Sequence, residues 1–436
     1  MIIEMELGFD HRLDEHRLAQ ALDLLLDEEP VLGCRMVIDT SPARWEPVPR
    51  LHRRSLILTD LGEEYAVVRR CGLDAVASVQ VLLCLWRADG GDRLLVKMTH
   101  EAGDGASLQW LVGRLAAIYS ALGSDPAYQV PAHPEARRDL GLIAGAVPKR
   151  TYPAILWDFT SFMAPRWFPR ATQQLPFPQE SVGPWVPVIT EIPAAHFGTL
   201  AAYAKARGAS LNDLFLAAAY RALAWCGHWD GTSGLRIPMT VDLRRWCLSG
   251  PRPRGVSNLS SVEFPLLIRN LGRTFEDTLA NVAVLTRQRK RHWPGLAVAL
   301  MSHAASRWSG EALRRRAIEA SRPTVTPPAS LWTAVSLILS NEGALDGPSL
   351  RFDRADPVTA RILPPFLALP GVHLCVSSYR GTITFAAVTP ESGAAVLDTF
   401  LNALVDQLPI DAWRPSRPGP GPARADTDAE PGYQCH

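Results

Sequence analysis

The run Val96-Lys97-Met98-Thr99-His100-Glu101-Ala102-Gly103-Asp104-Gly105-Ala106-Ser107 sits where two kinds of periodicity meet. An apolar strand over Arg93 to Met98 ends just before it. A helix with Leu108, Leu111, Leu115 and Ile118 at helical spacing begins near Ala106 and runs to about Ala121. A strand-to-helix junction holds a polar side chain over a cleft on a rigid support. A neutral imidazole at His100 can take a proton from a hydroxyl or amine near neutral pH. Asp104, four residues on, is better placed to fix the turn, and Gly103 and Gly105 permit a tight backbone. His100-Glu101 also opens an apparent HExxH pattern. Its fifth residue is Asp104 and its setting is a strand end, so no metal site is expected.

Working outward, the preceding strand pairs with Val79 to Trp86 through the turn-rich Ala88-Asp89-Gly90-Gly91-Asp92, as a hairpin. Nearer the start, Asp14 caps a helix to Glu28 that Pro30 stops, and Val31 to Ile38 reads as a strand. The proline- and aromatic-rich stretch from Pro165 to Val188 reads as a crossover between two lobes. The second lobe opens with a strand over Val188 to Ile192 and a helix from Ala194 to Arg207. Ser210 with Asp213, and Thr274 with Asp277, are capping boxes that start helices over Leu211 to Cys226 and up to Arg289. Val372 to Tyr379 and Thr382 to Val388 form a hairpin around Arg380-Gly381, and Leu397 to Leu408 is a final helix. The pattern predicts an α/β protein with an N-terminal lobe over 1–175, a C-terminal lobe over 176–413 and a disordered tail over 414–436.

Composition narrows the class. The 436 residues carry 45 basic and 44 acidic side chains, a net charge of +1, which argues against a protein built to grip nucleic acid or anionic membrane. There is no run of 18 apolar residues and no secretory pattern in the opening residues, so no membrane span and a cytoplasmic location are expected. The seven cysteines are scattered without CxxC spacing, which fits free thiols. No GxSxG elbow and no GxGxxG loop is present. The basic run Arg287-Gln288-Arg289-Lys290-Arg291 can be read as a solvated helix end or as a receiver of phosphates or an acidic helix.

Thr99-His100-Glu101-Ala102-Gly103-Asp104-Gly105 resembles the HHxxxDG signature of the condensation-domain superfamily. That superfamily groups condensation domains of nonribosomal peptide synthetases with several acyltransferases. Other segments resemble it in the same order over about residues 8 to 410. They are Leu13 to Leu22 with Glu29 to Leu32, Ser210 to Ala218, Ile237 to Arg244, Gly255-Val256-Ser257-Asn258 and Pro370 to Val388. The resemblance implies two chloramphenicol-acetyltransferase-like lobes with a tunnel at their interface. It implies His100 as general base or positioner of the nucleophile. It implies Asp104 and Gly105 as structural support of the motif, with Arg244 as the ion-pair partner of Asp104. Thr99, Asn258 and Asn341 are expected to line the tunnel. Thr99 stands in place of the family's first histidine, which is mostly structural there. Ser340-Asn341-Glu342-Gly343 stands where the family's second-lobe loop should be, without its aromatic residue.

The function so implied is a free-standing acyltransferase. It would move an acyl group from an acyl-CoA or a phosphopantetheinyl carrier-protein thioester to an alcohol or amine, in natural-product or lipid biosynthesis. No cofactor is held permanently. An acyl or peptidyl carrier protein is the partner considered, and a monomer is expected. The competing expectation is a non-catalytic relative that docks a carrier protein or recruits another enzyme. A further reading places another reaction, such as cyclisation or dehydration, in the same tunnel.

Overall fold

The computed structural model describes residues 1–39, 44–53, 55–130, 140–163, 173–178, 183–231, 234–247, 255–263, 268, 270–308, 337–345, 347–367 and 371–410. The tail expected over 414–436 and half of the crossover between Pro165 and Val188 lie outside them. Among the described residues no helix is long and apolar enough to cross a membrane.

Two sheets organise the chain. The strands are β1 (Ile2–Gly8), β2 (Cys34–Val37), β3 (Arg44–Pro47), β4 (Leu56–Thr59), β5 (Val81–Ala88), β6 (Gly91–Thr99), β7 (Trp185–Ile192), β8 (Met239–Asp242), β9 (Ser260–Glu263), β10 (Leu337–Ala344), β11 (Thr359–Leu363), β12 (Val372–Tyr379) and β13 (Thr382–Pro390). The helices are α1 (Glu15–Glu28), α2 (Gly62–Arg70), α3 (Gly105–Ser124), α4 (Gly141–Ala146), α5 (Tyr152–Met163), α6 (Phe197–Ala206), α7 (Leu211–Cys226), α8 (Phe275–Lys290), α9 (Leu296–Trp308) and α10 (Ala394–Asp406). The first sheet runs β11-β1-β6-β5-β4 and the second β7-β13-β12-β10-β8-β9.

The first sheet is covered on both faces. Met5, Leu7, Val96 and Met98 pack with Leu18, Leu22, Leu108 and Leu115 of α1 and α3. On the other face Leu82, Cys84 and Leu95 meet Tyr65 and Val68 of α2. Lys97 lies on that second face at 1% exposure. Its ammonium donates to the carbonyls of Val68, Arg69 and Cys71, the end of α2, and pairs with Glu4 at 3.1 Å. Buried charge of this kind is tolerated only when hydrogen-bonded throughout. The second sheet packs Leu337, Leu339, Leu374, Val376 and Phe385 on α7 and α10.

The capping boxes at Ser210–Asp213 and Thr274–Asp277 are both formed, and Asp14 caps α1. Two readings change. Pro30–Gly33 is a 3-10 turn rather than the start of a strand, because proline opens a tight turn at Pro30, and β2 begins only at Cys34. The strand Ile2–Gly8 was not legible as one. It occupies the middle of the first sheet and pairs on one side with β6 and on the other with β11, 350 residues away in the chain. The first sheet therefore draws one strand from the far half of the sequence.

Candidate active site

Gly91–Thr99, the central strand of the first sheet, carries His100 just past its end. The His100 amide donates to the Met1 carbonyl at 2.8 Å, which continues the β1–β6 ladder and pins the residue. The ring is partly buried where the two lobes meet. Burial holds the imidazole below its usual pKa, against upward pulls from its own backbone carbonyl, Asp104 and Glu101. The ring is therefore neutral at neutral pH.

Asn258 faces it from the second lobe. Its Nδ2 lies 2.9 Å from His100 Nδ1 and donates to the His100 carbonyl at 2.7 Å. The amide cannot be turned round without cost, because its Oδ1 accepts from the Ser260 amide at 3.3 Å and the Ser260 hydroxyl at 2.8 Å. Nδ1 thus has a donor, the Asn258 amide, and an acceptor, its own carbonyl, both beside it.

Asp104 caps α3 and ties three segments together. Its Oδ1 accepts from the Ser107 amide at 2.9 Å. Its Oδ2 accepts from Arg244 Nη1 at 2.8 Å and from the Leu259 amide at 2.7 Å. Arg244 adds bonds to the Ser107 hydroxyl, to both oxygens of Ser257 and to Asp242. Both partners are buried, at 3% and 8% exposure. The expected Asp104–Arg244 pairing is thus present in the geometry, with Ser107 and Ser257 as further members that motif reading passed over.

Gly105 begins α3 with its Cα against the Glu342 carboxylate, so that a Cβ there would overlap it. Glu342 accepts from Ser340 Oγ at 2.5 Å, and Ser340 in turn bonds Thr240. Burial raises the Glu342 pKa, and the nearby carboxylates of Asp104 and Asp242 raise it further. One expected lining residue does not behave as such. Thr99 is fully buried and donates to Gln80 Oε1 at 2.6 Å, so its side chain braces β6 inside the lobe. Asn341 is exposed and bonds Asn212 on α7. The pairing register shifts between Asn341 and Gly343, a bulge that interrupts the strand's alternation at Glu342.

Sequence reasoning missed His373 on β12. Leu374 and Val376 point into the second core, so His373 and Cys375 face the other way. Its Nε2 has no hydrogen-bond partner among the described residues. Burial and the charge of a protonated His100 nearby push its pKa down to about 3. The signal was a lone histidine in an otherwise alternating apolar strand. In the basic run, Arg289 is buried and donates to Glu263 at 2.7 Å, while Arg287 bonds the Gly208 carbonyl.

No family model matches the chain. No curated protein matches it either. Solved structures do. Trichothecene 15-O-acetyltransferase from Fusarium sporotrichioides superposes with a TM-score of 0.69 at 14% identity, over 93% of this chain and 90% of that one. The condensation domain of the monacolin K polyketide synthase gives 0.66 at 14%, over 93% and 91%. This is the condensation-domain fold. Polyketide synthase associated protein 5 from Mycobacterium tuberculosis shares it, at TM-score 0.60 and 17% identity over 92% and 93%.

Proposed function

We propose that the protein is a thioester-dependent acyltransferase with His100 as its base. The observation that carries this reading is the placement of a neutral imidazole at a strand end, between lobes, on a loop clamped by Asp104 and Arg244. The similar structures include an acetyltransferase and condensation domains, which supports the class of reaction.

The substrate pair is an acyl-CoA or carrier-protein thioester and an alcohol or amine. Acting as base through Nε2 requires the ring proton on Nδ1, where its own carbonyl accepts it; the Asn258 Nδ2 contact to Nδ1 then gives way, while the same amide keeps its bond to the His100 carbonyl. Nε2 takes the proton from the attacking O–H or N–H while the new bond to the thioester carbonyl forms. The tetrahedral oxyanion then collapses, the C–S bond breaks, and the thiolate leaves with the proton from the imidazolium. No covalent acyl-enzyme is required. Proton transfer of this kind contributes about 10²–10⁴-fold, and holding both substrates in line supplies more.

The non-catalytic alternative draws its support from Thr99, which stands where the family has its first histidine. The Thr99 hydroxyl is consumed by Gln80 inside the lobe, so its change from histidine favours neither loss nor alteration of chemistry, and the catalytic reading stands ahead. The experiment is a thioester panel read by free-thiol release, with His100→Ala alongside. Turnover should fall about 10²–10⁴-fold in a variant that stays folded. Unchanged thiol release would refute the role of His100. Saturable binding of a loaded carrier without transfer from any thioester would favour the docking protein instead.

A further inference from the structure

The face of the first sheet under α2 carries charge that acyl transfer at His100 does not use. Glu6 on β1 is 3% exposed. Arg361 stands opposite it on β11, Arg69 comes from the last turn of α2, and Arg93 lies near the start of β6. Arg361 Nη2 donates to Glu6, and Arg361 Nη1 lies 3.4 Å from Glu191 on β7. Arg69 Nη1 is 3.5 Å and Arg93 Nη1 3.9 Å from the same Glu6 carboxylate. The Tyr65 hydroxyl donates to it at 2.7 Å. Burial would raise the Glu6 pKa, but Arg69 and Arg361 outweigh it and the group titrates low. Nearby Lys97 is not in surplus, since Glu4 and three carbonyls take its ammonium.

Three guanidinium groups therefore converge on one buried carboxylate, with the more exposed Glu191 behind. The carboxylate does not satisfy them. Arg69 Nε, Arg69 Nη2 and Arg361 Nε are buried and have no hydrogen-bond partner among the described residues. Nε and Nη2 are adjacent donors on one edge of the guanidinium plane. That edge offers two parallel N–H bonds to a carboxylate or phosphate. Unpaired buried donors are costly, and a strong acceptor delivered to them recovers that cost. Trp86 lies 5.9 Å from the Arg93 guanidinium and stacks on Tyr65 at 5.0 Å, which gives the cluster an aromatic wall. Arg93, at 43% side-chain exposure, marks the side open to solvent.

We propose that Arg69, Arg93 and Arg361 form a phosphate site on this face, with the unpaired edge of Arg69 as the bidentate donor. The ligand is inorganic phosphate or a phosphate monoester. Three guanidinium groups against Glu6 and Glu191 leave a net charge of +1, which a phosphate monoanion neutralises while two of its oxygens take the paired donors of Arg69.

The test titrates the full chain by calorimetry at low salt with inorganic phosphate and, separately, with adenosine 3′,5′-bisphosphate. Saturable binding is expected, weakened at least about tenfold in Arg69→Gln and in Arg93→Gln, because each loses a charged contact. Glu6→Gln should bind more tightly, since the competing carboxylate is gone. Circular dichroism checks that each variant folds. Should Arg69→Gln fail to fold, Arg93→Gln on the solvent side still reads the site. Tighter binding of the bisphosphate identifies a nucleotide ester as the ligand, and equal affinities identify free phosphate. Absence of saturable binding to the wild-type chain overturns the proposal, as do folded arginine variants that bind like it.

Discussion

Asn258 Nδ2 stands 2.9 Å from His100 Nδ1, across the boundary between lobes and 158 residues along the chain. The amide is oriented by Ser260, so the neighbour of the imidazole is a neutral group that holds a donor towards it. A carboxylate there would act differently. Asn258→Asp sets a negative charge against Nδ1, which favours the imidazolium and raises the His100 pKa. The acid limb of the pH–rate profile for thiol release, expected below the ordinary imidazole range in the wild type because burial holds His100 down, should move up by about 1–2 pH units. An unmoved limb would show that Asn258 does not tune the base.

Asp104 and Arg244 form a buried pair 140 residues apart in the chain. Removing one partner strands the other charge. Arg244→Met should cost about 3–5 kcal/mol of stability, read from urea unfolding. The paired change of Asp104→Asn with Arg244→Met should cost less than the sum of the two single changes. Strict additivity would mean that the pair contributes no coupling.

A Cβ at the start of α3 would overlap the Glu342 carboxylate, which would have to shift to admit it. Gly105→Ala should destabilise the protein by about 1–3 kcal/mol through overpacking. Adding Glu342→Ala should recover most of that loss. A double variant as unstable as Gly105→Ala alone would place the strain in the backbone instead of in the carboxylate.

His373 is held neutral in the folded protein, with its pKa pushed down to about 3. The unfolded chain then binds a proton that the folded one refuses, so this residue adds no penalty above about pH 6.5 and destabilises progressively as pH falls towards 3. By pH 5 the wild type should have lost about 2 kcal/mol from this residue, at about 1.4 kcal/mol per pH unit. His373→Gln should remove that part of the acid sensitivity. Identical stability–pH curves for the two proteins would contradict the burial assigned to the ring.

Much of this architecture is written in local chemistry. Asp14, Ser210 and Thr274 cap helices where their spacing says they should, because a cap depends on residues three apart. The β5–β6 hairpin follows from its alternation and its Asp-Gly turn. The strand-end histidine and the aspartate cap of α3 follow from the same short run. Other features have no local signal. Ile2–Gly8 has no hairpin partner beside it in the chain, and it becomes an inner strand only because β6 and β11 close on it from both sides.

The sequence by itself thus determined the strand–turn–helix unit that holds His100 and Asp104, the caps, and the two-lobed α/β class. Tertiary structure alone decided that Asn258 meets the imidazole, that Glu342 occupies the space above Gly105, that Thr99 turns inward to Gln80, and that three arginines gather on Glu6. The reason is physical. Helix caps and strand alternation are set by neighbours a few residues apart, whereas each of these contacts depends on side chains brought together by the packing and register of whole elements.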